Sequence, residues 1–140
     1  MATFLEHANI TVPDIDAVIT FLQIVEPDFN VRHDETPEGN YRWAHIGSDQ
    51  FYIALQQPHL GSNAQSAHRP YQDYGINHVA WVVEDFNAVT KRLEEKGYQR
   101  GIPVEPHPHR KRAYYFDTGG FEWEIVEYLS DTQEERNAYA

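Results

Sequence analysis

Tyr74-Gly75-Ile76-Asn77-His78-Val79-Ala80-Trp81-Val82-Val83-Glu84-Asp85-Phe86 decides how this chain is read, because the stretch has a counterpart near the N-terminus. At an offset of 71 residues, His7 falls on His78, Val12 on Val83, Asp14 on Asp85, Ala17 on Ala88, Val18 on Val89 and Leu22 on Leu93. Further along, at an offset of 70, Arg42 falls on Arg112 and Phe51 on Phe121. Two similar halves therefore each begin with an alternating strand that carries one histidine. Two copies are too few for a solenoid, so a duplicated module closing into one compact unit is expected.

Working outward from the first histidine, Phe4 to Val12 alternates, with His7, Asn9 and Thr11 on one face and Ala8, Ile10 and Val12 on the other. Pro13 stops the strand. Asp14 is placed to cap a helix whose Ile15, Val18, Ile19 and Leu22 follow helical spacing. Strands are predicted at Asn30 to Asp34, Tyr41 to Ile46 and Phe51 to Gln57, the last with Phe51, Ile53 and Leu55 facing the helix and Tyr52, Ala54 and Gln56 facing away. From Pro58 to Gly75 the residues are Gly, Ser, Asn, Gln, Pro and His without periodicity, which reads as a linker.

The second half repeats the order. A strand holds His78, Asp85 precedes a helix with Phe86, Val89 and Leu93 on one side, and Gly97 is expected just past its end. Strands are predicted near Gln99 to Val104, at Arg112 to Asp117 and at Phe121 to Leu129, where Glu122, Glu124 and Val126 share a face. Ser130 and Gln133 suggest a capping box for a short terminal helix. The expected fold class is α+β, one domain over residues 1–140 built from two tandem β-α-β-β-β modules at about 3–57 and 75–129, with a linker at about 58–74 and a tail at 130–140.

Composition narrows the partners. A formal net charge of −11 opposes binding to nucleic acid or to an anionic membrane surface. With no cysteine there is neither disulfide nor thiolate chemistry. No apolar run approaches the roughly 18 residues of a membrane span, and the N-terminus lacks a basic region followed by an apolar one. A soluble, cytoplasmic protein acting on a small molecule is expected.

First and fourth strands of each module are expected to be neighbours, so their helix-averse faces present His7 with Ala54, and His78 with Glu124. Two imidazoles and one carboxylate suit a divalent ion with open positions for water or substrate. Alone, a histidine in a strand is more often packed or solvated than a ligand. The relation of His7 to His78 by the repeat, and of Glu124 to the strand beside His78, raises this set above that bland reading. His107-Pro108-His109-Arg110-Lys111-Arg112 is the one basic concentration in an acidic chain, and His109 is a candidate general acid or base within it. A solvated turn is the competing view. His33, His45, His59 and His68 have no partner in the repeat and stay unassigned.

These motifs, together with Asp117-Thr118-Gly119-Gly120-Phe121-Glu122-Trp123-Glu124, resemble the vicinal oxygen chelate superfamily, the glyoxalase/bleomycin-resistance/dioxygenase fold. The resemblance runs from Phe4 to about Leu129 and implies a cup-shaped sheet around a metal, Fe(II), Mn(II), Ni(II) or Zn(II), held by His7, His78 and Glu124. Ala54 departs from it: glyoxalase I and the acyl-CoA epimerases place Glu or Gln there, so isomerisation through an enediolate loses a ligand and a proton shuttle. Gln56 lies one pleat along the same face. The His, His, Glu set is that of extradiol dioxygenases and fosfomycin-resistance transferases, but no Lys and Ser cluster of the latter stands between Gln99 and Ala113. Tyr114 resembles a substrate-contacting tyrosine of those transferases, with Arg112 on its face. Tyr114, Arg112 and His109 are thus the candidate catalytic residues, and Tyr52, Gln56 and Glu122 the candidates to line the substrate.

The resemblance further implies a homodimer, with the metal held either within one chain or between His7 of one and His78 and Glu124 of the other. Dioxygenase-like or glyoxalase-like chemistry is expected. The alternative is a metal-free binding protein of the bleomycin-resistance type, with a cleft lined by Trp43, Tyr52 and Tyr115.

Overall fold

The computed structural model describes residues 2–63 and 69–139. His68 and part of the 58–74 connection lie outside the described residues. The chain separates into two compact units, Met1–Ser66 and Ala67–Ala140, divided within that connection.

The first unit runs β1 (His7–Thr11), α1 (Ile15–Val25), β2 (Asn30–Glu35), β3 (Trp43–Gly47) and β4 (Tyr52–Gln56). Its sheet has the order β1-β4-β3-β2, with β1 parallel to β4 and the other pairs antiparallel. First and fourth strands are neighbours, as the repeat predicts. Asp14 starts α1 by accepting from the Ala17 amide at 3.1 Å, which satisfies one of the orphan donors of the first turn. Ile15, Val18, Phe21, Leu22 and Val25 are buried along one stripe. Ile19 is only half-buried and yields its expected place to Phe21 and Val25. The stripe and the buried Ala44, Ile46, Ile53 and Leu55 form the apolar core of this unit, each large side chain contributing roughly 1.5–3 kcal/mol. Phe51, expected against the helix, precedes β4 and is 39% exposed, its ring edge-on to Phe29.

The second unit runs β5 (His78–Val82), α2 (Phe86–Glu95), β6 (Arg110–Phe116), β7 (Glu122–Tyr128) and α3 (Gln133–Arg136). The sheet order is β5-β7-β6, with β5 parallel and β6 antiparallel to β7. Asp85 caps α2 as Asp14 caps α1, accepting from the Ala88 amide at 3.0 Å. At the other end Gly97 takes φ +90°, and the Tyr98 amide returns to the Leu93 carbonyl at 3.1 Å. That is the left-handed C′ stop that only glycine adopts without cost.

The strand expected at Gln99 to Val104 is reduced to one bridge, Arg100 with Tyr115. Pro103 and Pro106 have no amide hydrogen to give a ladder, so the segment leaves the sheet after the Gly101 amide bonds the Tyr114 carbonyl at 2.7 Å. The terminal helix is capped two residues later than the expected Ser130 and Gln133 box. Thr132 is the N-cap, accepting from the Glu135 amide at 3.3 Å, and Ser130 instead donates to the Glu135 carboxylate. Among the described residues no helix is long and apolar enough to cross a membrane.

Candidate active site

In the second unit the sheet turns one side to α2, where Ala113, Tyr115, Trp123 and Ile125 are buried. The other side carries His78, Glu122, Glu124, Arg112 and Tyr114. Register places Glu122 opposite His78 and Glu124 opposite both Ala80 and Tyr114. Glu124 thus meets His78 on the diagonal, within reach of two long side chains on one face. Nε2 of His78 lies 3.0 Å from Oε2 of Glu124. Arg112 stands behind it, Nη1 to Glu124 Oε1 at 3.8 Å, and the Tyr114 ring sits edge-on to the His78 imidazole at 5.3 Å.

The opposite edge of the imidazole is held as firmly. Nδ1 of His78 lies 3.0 Å from the Tyr71 hydroxyl and 3.3 Å from Glu122 Oε1. Tyr71 itself donates to Glu122 in a short hydrogen bond. With its one proton given to Glu122, the phenol faces Nδ1 with a lone pair, and so does the carboxylate. Nδ1 therefore carries a hydrogen, and Nε2 is the ring nitrogen turned to Glu124. Nε2 of His78 and Oε2 of Glu124, 3.0 Å apart, can share one partner. Ligands bonded at about 2.1 Å and at right angles on one metal stand about 3.0 Å apart. His78 and Glu124 fit a divalent ion by donor type and separation.

Tyr71 was hidden in the sequence. It sits in the segment read as a linker, with no periodicity to mark it. Yet it adopts φ +66°, a left-handed conformation that a bulky residue rarely takes, and its amide donates to the Asn77 side chain at 2.6 Å. Asn77, the residue before His78, was the one signal available. The Glu122 hydrogen bond, then burial, pushes the Tyr71 phenol up to about 12, so it stays a donor at neutral pH. Burial first, and then the charge of Glu124, raises Tyr114 as well. Glu122 and Glu124 are 3% and 7% exposed, and buried carboxylates persist only with such partners.

In the first unit, His7 stands opposite Tyr52 and Ala54 opposite Asn9. This is the register of the second unit, with Tyr52 in place of Glu122 and Ala54 in place of Glu124. The carboxylate has become a methyl group. His7 stacks on Tyr52 at 4.7 Å, its Nδ1 2.9 Å from Glu6. Tyr52 also stacks on His45 at 4.4 Å and lies under the Arg32 guanidinium. His33 stacks on Trp43 at 4.4 Å, so two of the unassigned histidines belong to this array of rings. Gln56 is half-buried opposite Thr11, a further pleat from His7.

Tyr115 is not on a cleft. It is fully buried on the helix side, its hydroxyl donating to Glu94 at 3.1 Å, because alternation along β6 sets it with Ala113 and opposite to Tyr114. His109 precedes β6, five residues from Tyr114, or roughly 16 Å of strand. Its nearest acid is Glu135, at 3.9 Å. Among the described residues no three of His, Asp and Glu gather as a metal site.

The sequence profile described as "Glyoxalase/Bleomycin resistance protein/Dioxygenase superfamily" matches residues 4–125. No curated protein sequence matches the chain. Among solved structures, a glyoxalase family protein from Bacillus cereus is similar over 93% of this chain and 99% of its own, with a TM-score of 0.74 and 20% identity. The genomically encoded fosfomycin resistance protein FosX of Listeria monocytogenes, complexed with Mn(II) and sulfate, is similar over 99% of both chains, with a TM-score of 0.68 and 14% identity. FosX of Mesorhizobium loti covers 99% of this chain and 100% of its own, at a TM-score of 0.69 and 19% identity. Profile, strand order and the paired modules agree: the chain belongs to the glyoxalase/bleomycin resistance protein/dioxygenase superfamily.

Proposed function

We propose that the chain is a metal-dependent enzyme that takes a small substrate through two neighbouring oxygens, with dioxygenase-like or glyoxalase-like chemistry. The observation that carries the reading is the contact of His78 Nε2 with Glu124 at 3.0 Å, with Nδ1 engaged by Tyr71 and Glu122. His78 and Glu124 are the proposed ligands. His7 is the proposed third, on the strength of its matching place in the repeat. A divalent ion bound there supplies Lewis acidity and a template for adjacent oxygens.

The remaining roles belong to the chain's own groups. Tyr71 and Glu122 orient the imidazole and hold its tautomer. Tyr114, a neutral phenol, is placed to donate to a substrate oxygen, and Arg112 balances the charge of Glu124. A nitrogen and carboxylate set suits Mn(II), Fe(II), Ni(II) or Zn(II). The Mn(II) of the Listeria protein supports trying that ion first. The methyl group of Ala54 favours dioxygenase-like over isomerase chemistry, because the first module then brings no carboxylate at that place to shuttle a proton.

A second reading, a metal-free binder of a flat small molecule, is favoured by the stacked rings of His7, Tyr52 and His45. Metal content separates the two. About one equivalent of a transition ion per chain, lost in His78→Ala and Glu124→Ala, supports the enzyme, and catechols, enols and thiohemiacetals are then screened with and without oxygen. Less than a tenth of an equivalent after reconstitution with each of the four ions would sink it. Sedimentation of the loaded protein tests the homodimer that this reading also proposes.

A further inference from the structure

The two histidines that the repeat equates are held alike at one ring nitrogen, although the groups that hold them come from different places in the sequence. In the second unit, Nδ1 of His78 lies 3.3 Å from Oε1 of Glu122, the residue opposite it on β7. In the first unit the residue opposite His7 is Tyr52, which has no carboxylate to offer. Glu6 supplies one instead. Its Oε1 lies 2.9 Å from Nδ1 of His7.

Glu6 is pinned where it can do this. Its carbonyl accepts from the Tyr52 amide at 3.0 Å, a bond at the very start of the pairing between β1 and β4. The Tyr52 ring lies nearly parallel to the imidazole of His7, with 9° between the planes and 4.7 Å between centres, and His45 stacks on Tyr52 at 4.4 Å. Stacking sets the plane of the His7 ring, and the Glu6 contact sets which edge faces the carboxylate. Burial first, and then the charge of Glu6, raises the Tyr52 phenol, which places the carboxylate near that ring as well.

A carboxylate oxygen accepts, so Nδ1 of His7 carries a hydrogen, and in the neutral ring Nε2 is the nitrogen with the free lone pair. A histidine that binds a metal through one nitrogen is commonly oriented by an acceptor at the other. We propose that Glu6 is the positioning residue of His7: it holds Nδ1 as the hydrogen-bearing nitrogen and so presents Nε2 as a ligand, the part that Glu122 plays for His78. The use of Nε2 rests on the metal reading. The hold on Nδ1 does not.

The test reads His7 in the metal-free protein by long-range ¹H–¹⁵N spectra at about pH 8, where an ordinary imidazole is neutral. His7 is expected in the Nδ1–H form, the minor one for an imidazole free in water. Glu6→Ala is expected to return it to the Nε2–H form while circular dichroism stays that of wild type. Glu6→Gln keeps an acceptor oxygen and is expected to retain Nδ1–H. In calorimetric titration with Mn(II) and with Zn(II), Glu6→Ala is expected to bind about 10–100-fold more weakly than wild type, and Glu6→Gln to lose less. An Nε2–H form in wild type, or a tautomer that Glu6→Ala leaves unchanged, overturns the proposal. Wild type that takes up no ion sinks the metal reading and the use of Nε2 with it, whereas an ion bound equally tightly by wild type and Glu6→Ala sinks the role of Glu6 alone.

Discussion

Glu124 reaches His78 across a diagonal of two parallel strands, Oε2 to Nε2 at 3.0 Å, while the residue directly opposite His78 is Glu122. The two carboxylates thus divide the imidazole between them. Glu122 stands at Nδ1 and Glu124 at Nε2.

If that division is what makes His78 a ligand, removing either side has a distinct effect. His78→Ala and Glu124→Ala are expected to lower the affinity for Mn(II) or Zn(II) by at least about 100-fold, since a ligand is lost outright. Calorimetric titration of the ion into each variant reads this directly. An affinity within threefold of wild type would remove these residues from the site.

Tyr71→Phe leaves every proposed ligand in the chain. It deletes the hydroxyl that donates to Glu122 and faces His78 Nδ1 at 3.0 Å. Loss of such an orienting partner typically costs 10–100-fold in metal affinity. Circular dichroism is expected to match wild type while the metal titration weakens; unchanged metal affinity would make Tyr71 a packing residue only.

Asp117 is 5% exposed and accepts three hydrogen bonds, from the Gly119 amide at 2.9 Å, the Phe121 amide at 3.1 Å and Trp123 Nε1 at 3.0 Å. It shapes the turn that delivers β7, and with it Glu122 and Glu124. Asp117→Ala is expected to cost about 3 kcal/mol, because buried donors lose a charged acceptor. Urea unfolding measures it, and a loss below about 1 kcal/mol would contradict the role.

Arg42 ties α1 to β2, with bonds of 2.8 Å to both Asp16 and Asp34. Those hydrogen bonds hold both carboxyls below the usual carboxylate range. Groups with a depressed folded pKa add stability above their unfolded value, and the gain disappears as pH falls through the folded one. Arg42→Ala is therefore expected to unfold at lower urea than wild type at pH 7, with the gap closing as pH falls below the ordinary carboxylate range. A gap that persists undiminished at the acid end would assign the effect to packing of the Arg42 stem.

Gly47 and Gly39 separate two reasons for a glycine. A Cβ on Gly47 would meet the Phe51 carbonyl oxygen at 2.3 Å and Tyr52 Cα at 2.6 Å, both backbone. Gly39 has open space around it but φ +71°. Gly47→Ala is expected to cost about 3 kcal/mol or more through forced strand displacement, and Gly39→Ala about 1 kcal/mol through backbone strain alone. Thermal unfolding of the two variants, ranked the other way, would refute the close-approach argument.

Local chemistry made much of this legible in advance. Period-two alternation marked β1, β4, β5 and β7, Asp14 and Asp85 marked the helix starts, and Gly97 marked a helix end. All of these are decided by a residue and its near neighbours. The repeat then placed the first strand beside the last in each unit and equated Glu124 with Ala54, because a duplicated sequence under one set of backbone rules folds twice the same way. Register supplied the rest of the candidate pair, His78 with Glu124.

Tertiary structure alone decided the remainder. Tyr71 reaches His78 and Glu122 only because a left-handed residue and the Asn77 side chain turn an aperiodic segment back onto the sheet. The strand expected at Gln99 to Val104 failed because prolines withhold the donors that a ladder needs, leaving the single bridge of Arg100 with Tyr115. The setting of the Arg110 guanidinium, bonded to the Arg136 carbonyl and lying on the Tyr139 ring, is likewise a matter of which groups arrive around it. No spacing along the chain encodes that, since it depends on Arg136 and Tyr139, residues more than twenty positions away.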